Sequence, residues 1–473
     1  GIEINELSSE EQDSVRSTYA KRAHNMLRQG GFNIRLTLDK EIHEAMQQPA
    51  KNAGNFGPNQ TIEDENLTLP EQTSSVMIEN KTGKVLGFVG GRYINGKTDD
   101  LNRAFWAERQ IGSTAKPILV YSNAIEAGMI TPATQIIDEE YFYKFTGPGQ
   151  PKKQVQNEGK TYRGAVTVRD ALKLSLNVPA FKIYEESKQK PSHNQKLVDM
   201  GIPVSEGNRY ASAMALGTGE VKPIDLAASY AMLANYGEHV EPYFIQEIEY
   251  QGEVIYEAKP KKTRIFTERT SYLVVDMLRD VYTSGTATYA QSLLNVPGDW
   301  MGKTGTTNDQ RDSYLVGSNP NVTLAVWSGY DSQRLSMLDS WDYGRYYQRT
   351  QRIWSQTMNR VYADDPEALG VSARFSQPSS VTSKDFQDSG SFSEKKKVEE
   401  KEKEEEAKKE AEEKKQESAA DDAAKKKAEE EAKQKADAEA KKKAEEEAKK
   451  KAEEEAKQEA EQQAEEDADA DGE

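Results

Sequence analysis

The sequence contains no cysteine, so it can form neither a disulfide bond nor a cysteine-ligated metal site. Histidine is nearly as scarce, and none of the histidines has the paired spacing that binds zinc on a helix. The four are His24, His43, His193 and His239. No run of about eighteen apolar residues occurs, so no membrane span is predicted within these residues. We therefore expect no metal site and no membrane insertion by this stretch of chain.

Hydrophobic residues are also few, at 36% of 473, and the deficit lies mainly at the C-terminal end. Residues 394–473 contain 21 lysines and 32 acidic residues, a net charge of −11. The preceding residues carry a net charge of only −6. Neither part contains the concentrated basic surface that nucleic-acid binding requires, so we predict no nucleic-acid partner.

The C-terminal region has a simple repeat. From Ala424 to Ala468 alanine recurs at almost every fourth position, between blocks of three lysines and three glutamates. Glutamates four residues before lysines can pair along a helix. A four-residue alanine period drifts around the helix, however, and gives no coiled-coil seam. We expect a solvated single helix or a disordered, helix-prone chain.

Changes in composition predict four regions. Residues 1–70 form a linker region before the main domain, and residues 71–365 form that domain. Residues 366–393 form a serine-rich linker, and residues 394–473 form the charged tail. Because the sequence begins at Gly1 and not at a methionine, we expect it to be a piece of a longer protein.

The pattern of the main domain predicts strands, then helices, then strands. Residues 74–80 and 84–91 form a strand-like hairpin whose turn is Lys81-Thr82-Gly83. Apolar residues recur with a helical period from about 112 to 290. Strand-like runs return at 300–331, with a turn at Asn319-Pro320-Asn321. This order predicts a mixed α/β fold, a sheet with helices packed on it.

The segment ERQIGSTAKPILVY, residues 108–121, carries the most informative pair of side chains. Ser113 and Lys116 are three residues apart at the start of a helical pattern, which places them on one face. A serine hydroxyl becomes a nucleophile when a base takes its proton, and a lysine of lowered pKa can be that base. The pattern is weak alone, because it recurs at Ser187-Lys190 and at Ser393-Lys396.

Two further motifs follow in order. Ser175-Leu176-Asn177 lies in an apolar setting, and Lys303-Thr304-Gly305 lies in a predicted strand and is followed by Thr306. The other Lys-Thr-Gly, at 81–83, lies upstream of Ser113 in a turn. We attribute Gly305 to the need for space beside a ligand lying along the strand.

These three motifs, in this order, resemble those of the penicilloyl-serine transferases. The flanking segments resemble the transpeptidase domain of class A (bifunctional) penicillin-binding proteins; they are LNRAFWAERQIGSTAKP, TVRDALKLSLNVPA, ASAMALGTGEVKPIDLAASYAMLANYG and GKTGTTNDQRDSYLVGSNPNVTLAVWSGYD. The resemblance covers about residues 30–365. It implies a β-lactamase/transpeptidase-like fold with a central antiparallel sheet, helices on both faces and a mainly helical subdomain.

The resemblance also implies roles for the motif residues. Ser113 is the nucleophile toward the D-Ala-D-Ala end of a peptidoglycan stem peptide, Lys116 its base and Ser175 a proton shuttle. Asn177, Lys303, Thr304, Gly305 and Thr306 bind substrate, and the backbone N–H groups of Ser113 and Thr306 form the oxyanion hole. β-Lactams acylate Ser113, and no cofactor or metal is required.

Several alternatives remain open at this stage. The same machinery serves a D,D-carboxypeptidase or a β-lactamase, in which water is the acceptor, and a non-catalytic β-lactam sensor is acylated without turnover of stem peptides. The resemblance places the site on the outer face of the cytoplasmic membrane, with a glycosyltransferase domain and a membrane anchor in the intact parent.

Overall fold

A computed structural model describes residues 7–94, 101–144, 152–190, 193, 195–202, 211–387, 390–392 and 425–458. The chain divides into two units, Gly1–Ser393 and Glu394–Glu473. In the second unit, residues 425–458 form one helix whose side chains are all exposed. The predicted helical tendency of the tail is therefore realised over these residues, and the rest of the tail lies outside the described residues.

The described part of the first unit alternates strands and helices. Its strands are β1 Phe32–Leu36, β2 Gln60–Ile62, β3 Leu67–Leu69, β4 Gln72–Glu79, β5 Val85–Val89, β6 Arg109–Gln110, β7 Gln135–Asp138, β8 Tyr141–Lys144, β9 Lys152–Val155, β10 Gly164–Thr167, β11 Glu220–Val221, β12 Glu238–Val240, β13 Ile245–Tyr250, β14 Glu253–Glu257, β15 Lys262–Arg264, β16 Met301–Thr306, β17 Asp312–Ser318 and β18 Val322–Gly329. Its α-helices are α1 Ser9–Gln29, α2 Lys40–Lys51, α3 Arg103–Trp106, α4 Ser122–Glu126, α5 Val168–Lys173, α6 Asn177–Ser187, α7 Gln195–Asp199, α8 Pro223–Ala234, α9 Glu268–Ser284, α10 Thr288–Leu293 and α11 Tyr346–Asp364.

The centre of the domain is a five-stranded antiparallel sheet in the order β16-β17-β18-β4-β5. Every residue of β17 and β18 is buried, as expected for strands covered on both faces. The predicted turn joins them, because Asn319 Oδ1 accepts hydrogen bonds of 2.9 Å from the backbone N–H groups of Asn321 and Val322. The sequence therefore predicted this half of the sheet correctly.

Helices cover both faces of this sheet, as the resemblance implied. The helices α2 and α11 pack against each other, with α2 on β5 and α11 on β17 and β18, whereas α8 packs on β18 and β4. The helical region between β6 and β12 also contains short antiparallel strand pairs, β7 with β10 and β8 with β9. Among the described residues, none of the helices has both the length and the apolar composition needed to cross a membrane.

The first Lys-Thr-Gly is the tip of the β4–β5 hairpin. Gly83 has a φ of +76°, a left-handed conformation that favours glycine. A Cβ added to Gly83 would lie 2.7 Å from the carbonyl oxygen of Glu241, so the turn also packs closely against another segment. The interpretation of this tripeptide as a turn is confirmed.

The N-terminal region is only partly separate from the domain. The helix α1 begins with a capping box formed by Ser8 and Glu11. Four of the five residues of strand β1 are exposed. In contrast, Ile42 and Met46 of α2 belong to the main hydrophobic core. The core thus begins before residue 71, where composition placed the domain boundary.

The serine-rich segment after residue 365 is packed and is not a free linker. Leu369 is fully buried, and its carbonyl oxygen accepts a hydrogen bond of 2.8 Å from Asn319 Nδ2. Phe375 and Val381 are buried in the main core, and Asp385 forms an ion pair with Arg269. Serine-rich composition predicts flexibility, but a few well-spaced apolar side chains are enough to fix such a segment to the domain.

Candidate active site

The segment carrying Ser113 is helical but irregular. Gly112–Thr114 form a 3-10 turn, Lys116–Tyr121 form a π-helical segment, and α4 continues from Ser122. Pro117 lies in the first turn of this helix, where backbone N–H groups have no partner within the helix, so the missing N–H of proline costs no hydrogen bond. Residues 116–121 are all buried, so the core fixes the backbone on which Ser113 and Lys116 stand, while Ser113 itself stays half-buried.

The Ser175-Leu176-Asn177 motif runs from the loop after α5 into the first residue of α6, which is Asn177. Ser175 has a φ of +57°, a left-handed conformation that costs about 1–2 kcal/mol for a residue other than glycine. Such strain persists where the surroundings impose it, often at functional sites. Here Asn157 imposes part of it, because its buried Oδ1 accepts hydrogen bonds from the backbone N–H groups of Asn177, at 2.8 Å, and Val178, at 3.2 Å.

The second Lys-Thr-Gly lies on β16, at the edge of the central sheet. Lys303 is fully buried, whereas Thr304 and Thr306 are half-buried and line the adjacent cavity. The prediction of a strand is confirmed, and a strand at the edge of a sheet has backbone groups able to bind an extended ligand.

The three motifs meet in one hydrogen-bond network. Lys116 Nζ donates to the carbonyl oxygen of Ser175 at 2.7 Å and to Asn177 Oδ1 at 2.6 Å, and it lies 3.4 Å from Ser175 Oγ. Lys303 Nζ donates to Ser175 Oγ at 2.7 Å and to the carbonyl oxygen of Thr304 at 3.0 Å. Ser175 therefore lies between two buried lysines that are distant in the sequence.

The network fits a neutral Lys116. A neutral amine has two N–H donors and one lone pair, and the two short contacts of Lys116 use both donors. The lone pair is then available to a hydroxyl proton. We expected Lys116 to pair with Ser113, but among the described residues the hydrogen-bond partners of Lys116 are Ser175 and Asn177.

Electrostatics favours the same protonation state. Burial lowers the pKa of Lys116 well below its usual value, and the charge of Lys303 lowers it further. Burial lowers the pKa of Lys303 to about 7. The carboxylate of Glu158 opposes both shifts, since it favours the charged form of each lysine. The lowered pKa favours the neutral, basic form of Lys116, while Lys303, with a pKa of about 7, retains part of its charge near pH 7.

Close backbone packing holds the serine segment against β16. Gly112 has a φ of +52°, and a Cβ there would collide with the carbonyl group of Thr306. A Cβ on Gly305 would lie 2.7 Å from both the carbonyl oxygen of Ile111 and Thr114 Cγ2. The missing side chain of Gly305 therefore makes room for the segment that carries Ser113, a structural reason that the sequence did not suggest.

A cavity of about 970 Å³ opens beside these residues. Five of the residues identified from the sequence line it, namely Ser113, Ser175, Asn177, Thr304 and Thr306. The two lysines are completely buried behind them. The structure thus brings together all eight residues of the three motifs that we singled out, with Gly305 in a structural position.

Sequence reasoning missed several residues of the site. Asn157 holds the Ser175 loop, and Thr286 Oγ1 lies 2.6 Å from Thr304 Oγ1. Tyr346 lies close enough to Thr306 for a side-chain hydrogen bond, and burial together with Glu158 raises its pKa to about 12. Asn177 Nδ2 donates to the carbonyl oxygen of Gln156 at 2.7 Å, so one of its two amide hydrogens is already used. None of these residues belongs to a recognisable motif, and only the fold places them here.

Within the described parts of the chain, no group of three or more histidine, aspartate or glutamate residues is arranged to hold a metal ion. The chemistry that the arrangement can perform is nucleophilic, because the site contains a serine that lines the cavity, a buried lysine of lowered pKa, and a second lysine able to attract an anion.

Comparison with known proteins agrees with this geometry. A sequence model described as the penicillin-binding protein transpeptidase domain matches residues 73–338. Penicillin-binding protein 1A of Clostridium perfringens (strain 13 / Type A) is 31% identical over 328 residues, which cover 65% of this chain and 47% of that protein. Penicillin-binding protein 1F of Bacillus subtilis (strain 168) is 35% identical over 315 residues, covering 64% and 40%. The chain therefore spans less than half the length of these curated relatives.

Solved structures share the fold. Penicillin-binding protein 1A from Haemophilus influenzae has a TM-score of 0.62 at 17% identity, covering 80% of this chain and 76% of that one. The PonA1 protein from Mycobacterium tuberculosis, solved in complex with penicillin V, has a TM-score of 0.60 at 21% identity, covering 75% and 90%. At these identities the likeness establishes the β-lactamase/transpeptidase-like fold.

Proposed function

Because the chain belongs to the family of penicillin-binding protein transpeptidase domains, a family of serine acyltransferases, we propose that it is a D,D-transpeptidase. Its substrates would be peptidoglycan stem peptides that end in D-Ala-D-Ala. The observation that carries the proposal is the chain of contacts from Lys303 through Ser175 to Lys116, beside the accessible Ser113.

The first step is acylation of Ser113. Lys116 Nζ takes the hydroxyl proton, and Ser113 Oγ attacks the carbonyl carbon of the penultimate D-Ala. Backbone N–H groups of Ser113 and Thr306 stabilise the negative oxygen that develops. The C–N bond then breaks, and the departing D-Ala nitrogen receives a proton from Ser175, which Lys116 replenishes. The acyl group is left as an ester on Ser113.

The remaining motif residues orient the substrate. Lys303, with part of its charge retained near pH 7, attracts the terminal carboxylate, and the hydroxyl groups of Thr304 and Thr306 donate hydrogen bonds to it. Asn177 has one amide hydrogen left for the substrate backbone after its bond to Gln156. These contacts select a peptide with a free carboxyl end.

The second step transfers the acyl group to an amine of a neighbouring stem peptide. A new amide bond forms, Ser113 regains its proton, and the product is a cross-link. A β-lactam presents its strained amide at the place of the D-Ala-D-Ala bond, so we expect it to acylate Ser113 and remain attached.

Water as the acceptor would make the protein a D,D-carboxypeptidase or a β-lactamase, and a sensor would be acylated without turning over peptides. The test is to incubate a stem pentapeptide with and without an acceptor amine and to separate the products. A transpeptidase forms the amide product with the acceptor. Release of D-Ala with no amide product indicates a carboxypeptidase, and absence of D-Ala release indicates a sensor.

The curated relatives are more than twice as long as the segment they share with this chain. We infer that the intact parent also carries a glycosyltransferase domain and a membrane anchor, as class A penicillin-binding proteins do. Peptidoglycan lies outside the cytoplasm, so the site would face the outer side of the cytoplasmic membrane.

A further inference from the structure

Glu158 is a charged residue of the cavity for which the three motifs have no role. It begins the short 3-10 turn Glu158–Lys160, its side chain is exposed, and it lines the same cavity as Ser113 and Ser175. Its position is anchored, because the two residues before it contact the catalytic loop: Gln156 through its carbonyl oxygen and Asn157 through its side chain both bind Asn177.

The charge of Glu158 acts on groups at the centre of the site. Its carboxylate interacts electrostatically with Lys116, Lys303 and Tyr346, which lie on three different elements around the cavity. Because Glu158 lines this cavity and its side chain is exposed, its carboxylate is accessible to a ligand there.

Two other charged residues line the cavity wall. Asp309 pairs with Arg311 at 3.1 Å, and Arg345 donates a hydrogen bond of 3.0 Å to the hydroxyl of Tyr347. Among the described residues, no lysine, arginine or histidine lies within ion-pair distance of Glu158. It is therefore a negative charge, open to the cavity, without a cation of its own.

We propose that Glu158 binds the ammonium group of the acceptor amine and so favours transfer to an amine over transfer to water. This inference rests on the proposed transpeptidase function, and it assigns a residue to the acceptor side of the cavity.

The charge distribution supports this assignment. An acceptor amine is mostly a cation near pH 7, and the buried Lys303 repels it from the side of the cavity where the donor carboxylate binds. Glu158 attracts the same cation at the rim. The two opposite charges thus sort the substrates, with the donor carboxylate toward Lys303 and the acceptor ammonium toward Glu158. Glu158 brings the ammonium near the acyl group, and Lys116 takes one proton so that the neutral nitrogen can attack the acyl carbon. As the new C–N bond forms, the ester C–O bond breaks and the second proton passes to Ser113 Oγ.

The test is the partition of one acyl-enzyme between two acceptors and water. A synthetic acyl-D-Ala thioester acylates the protein, and the ratio of amide product to hydrolysis product is measured with propylamine, which is protonated at pH 7. Methoxyamine has a similar size but is uncharged and serves as the matched acceptor. The ratio does not depend on the acylation rate, because both products arise from the same intermediate.

For Glu158→Gln we expect the propylamine ratio to fall about fivefold, the effect of losing one partly exposed ion pair, and the methoxyamine ratio to stay the same. Added salt should reduce the difference in the propylamine ratio between wild type and Glu158→Gln, because salt screens the charge of Glu158. Glu158→Asp should restore part of the preference, and Asp309→Asn should not alter it, because Arg311 already neutralises Asp309.

An equal fall of the product ratio with both amines would overturn the inference, because methoxyamine is uncharged and gives Glu158 no cation to bind. No fall with either amine would overturn it too. If the wild-type protein forms no acyl-enzyme from the thioester, the proposed function itself fails and the inference fails with it. An acyl-enzyme that forms normally but partitions without regard to Glu158 refutes the inference alone.

Discussion

Lys303 Nζ donates a hydrogen bond of 2.7 Å to Ser175 Oγ, although 128 residues separate the two in the sequence. Ser175 Oγ also lies 3.4 Å from Lys116 Nζ. A hydroxyl that accepts from one lysine has its own proton free to donate to the other. This relationship makes Ser175 the link between the two buried amines.

Two substitutions of Ser175 should separate the effect of its backbone strain on stability from the effect of its hydroxyl on the rate of acylation. Ser175→Ala and Ser175→Gly both remove the hydroxyl, so each should slow acylation by about 10²–10⁴-fold, as loss of a proton-transfer group does. Only glycine adopts the left-handed φ of +57° without strain. We therefore expect Ser175→Gly to be more stable than Ser175→Ala by about 1 kcal/mol in free energy of unfolding, measured by chemical denaturation. Equal free energies of unfolding for the two variants would contradict the role of strain. A Ser175→Ala variant that is acylated as fast as wild type would contradict the role of the hydroxyl.

Acylation needs Lys116 neutral and Lys303 charged. We therefore expect the second-order rate constant of acylation by a penicillin to have a bell-shaped pH dependence. At low pH Lys116 becomes protonated and cannot take the proton of Ser113, so the rate falls. As the pH rises through about 7, Lys303 loses its charge and the rate falls again, because the ligand carboxylate is no longer attracted. This rate constant reports pKa values of the free enzyme.

Lys303→Arg tests the alkaline side of that profile. A guanidinium stays protonated across this range, so the alkaline limb should move to higher pH, whatever the height of the maximum. An alkaline limb that stays near pH 7 in Lys303→Arg would show that another group is responsible for it.

Gly305→Ala distinguishes the structural explanation from the one suggested by sequence. The added Cβ would press on Ile111 and Thr114, so we expect a loss of about 1–3 kcal/mol in free energy of unfolding, typical of overpacking. A residue that only cleared space for a ligand would leave unfolding unchanged and affect binding alone. Gly54→Ala is the control, because the nearest atom to its Cβ is at 3.4 Å and belongs to the side chain of Asn52.

The charged tail should be dispensable for acylation. Deleting residues 394–473 removes one separate unit, and the side chains of its helix at 425–458 are all exposed. We expect an unchanged rate of acylation of Ser113, measured with fluorescent penicillin. A large loss of rate after truncation would show that the tail belongs to the folded domain.

Local patterns predicted much of this molecule because local forces determine those parts. The glycine turn between β4 and β5 and the asparagine turn between β17 and β18 act over a few residues, and the sequence predicted both. The order of the motifs identified Ser113, Lys116 and Lys303, although no local rule brings them together.

Other features depend on contacts between distant segments and left no local signal. Gly305 is small because Ile111 lies beside it, and Thr304 is accompanied by Thr286. Similarly, a few scattered apolar residues, such as Leu369 and Phe375, fix the segment after residue 365 to the core. The average composition of the segment does not show their effect. Glu158 had no motif to mark it, and only the folded cavity shows which groups it faces.

The most direct test of the account is labelling with fluorescent penicillin, followed by peptide mapping of the adduct. Ser113→Ala is compared with wild type, and Ser187→Ala is the matched control. Ser187 has the same spacing to a lysine, but it is buried and donates a hydrogen bond to the carbonyl oxygen of Tyr184. We predict a stable adduct on Ser113 that disappears in Ser113→Ala and persists in Ser187→Ala. An adduct on another residue, or no adduct on the folded wild-type protein, would contradict the assignment of Ser113 as the nucleophile.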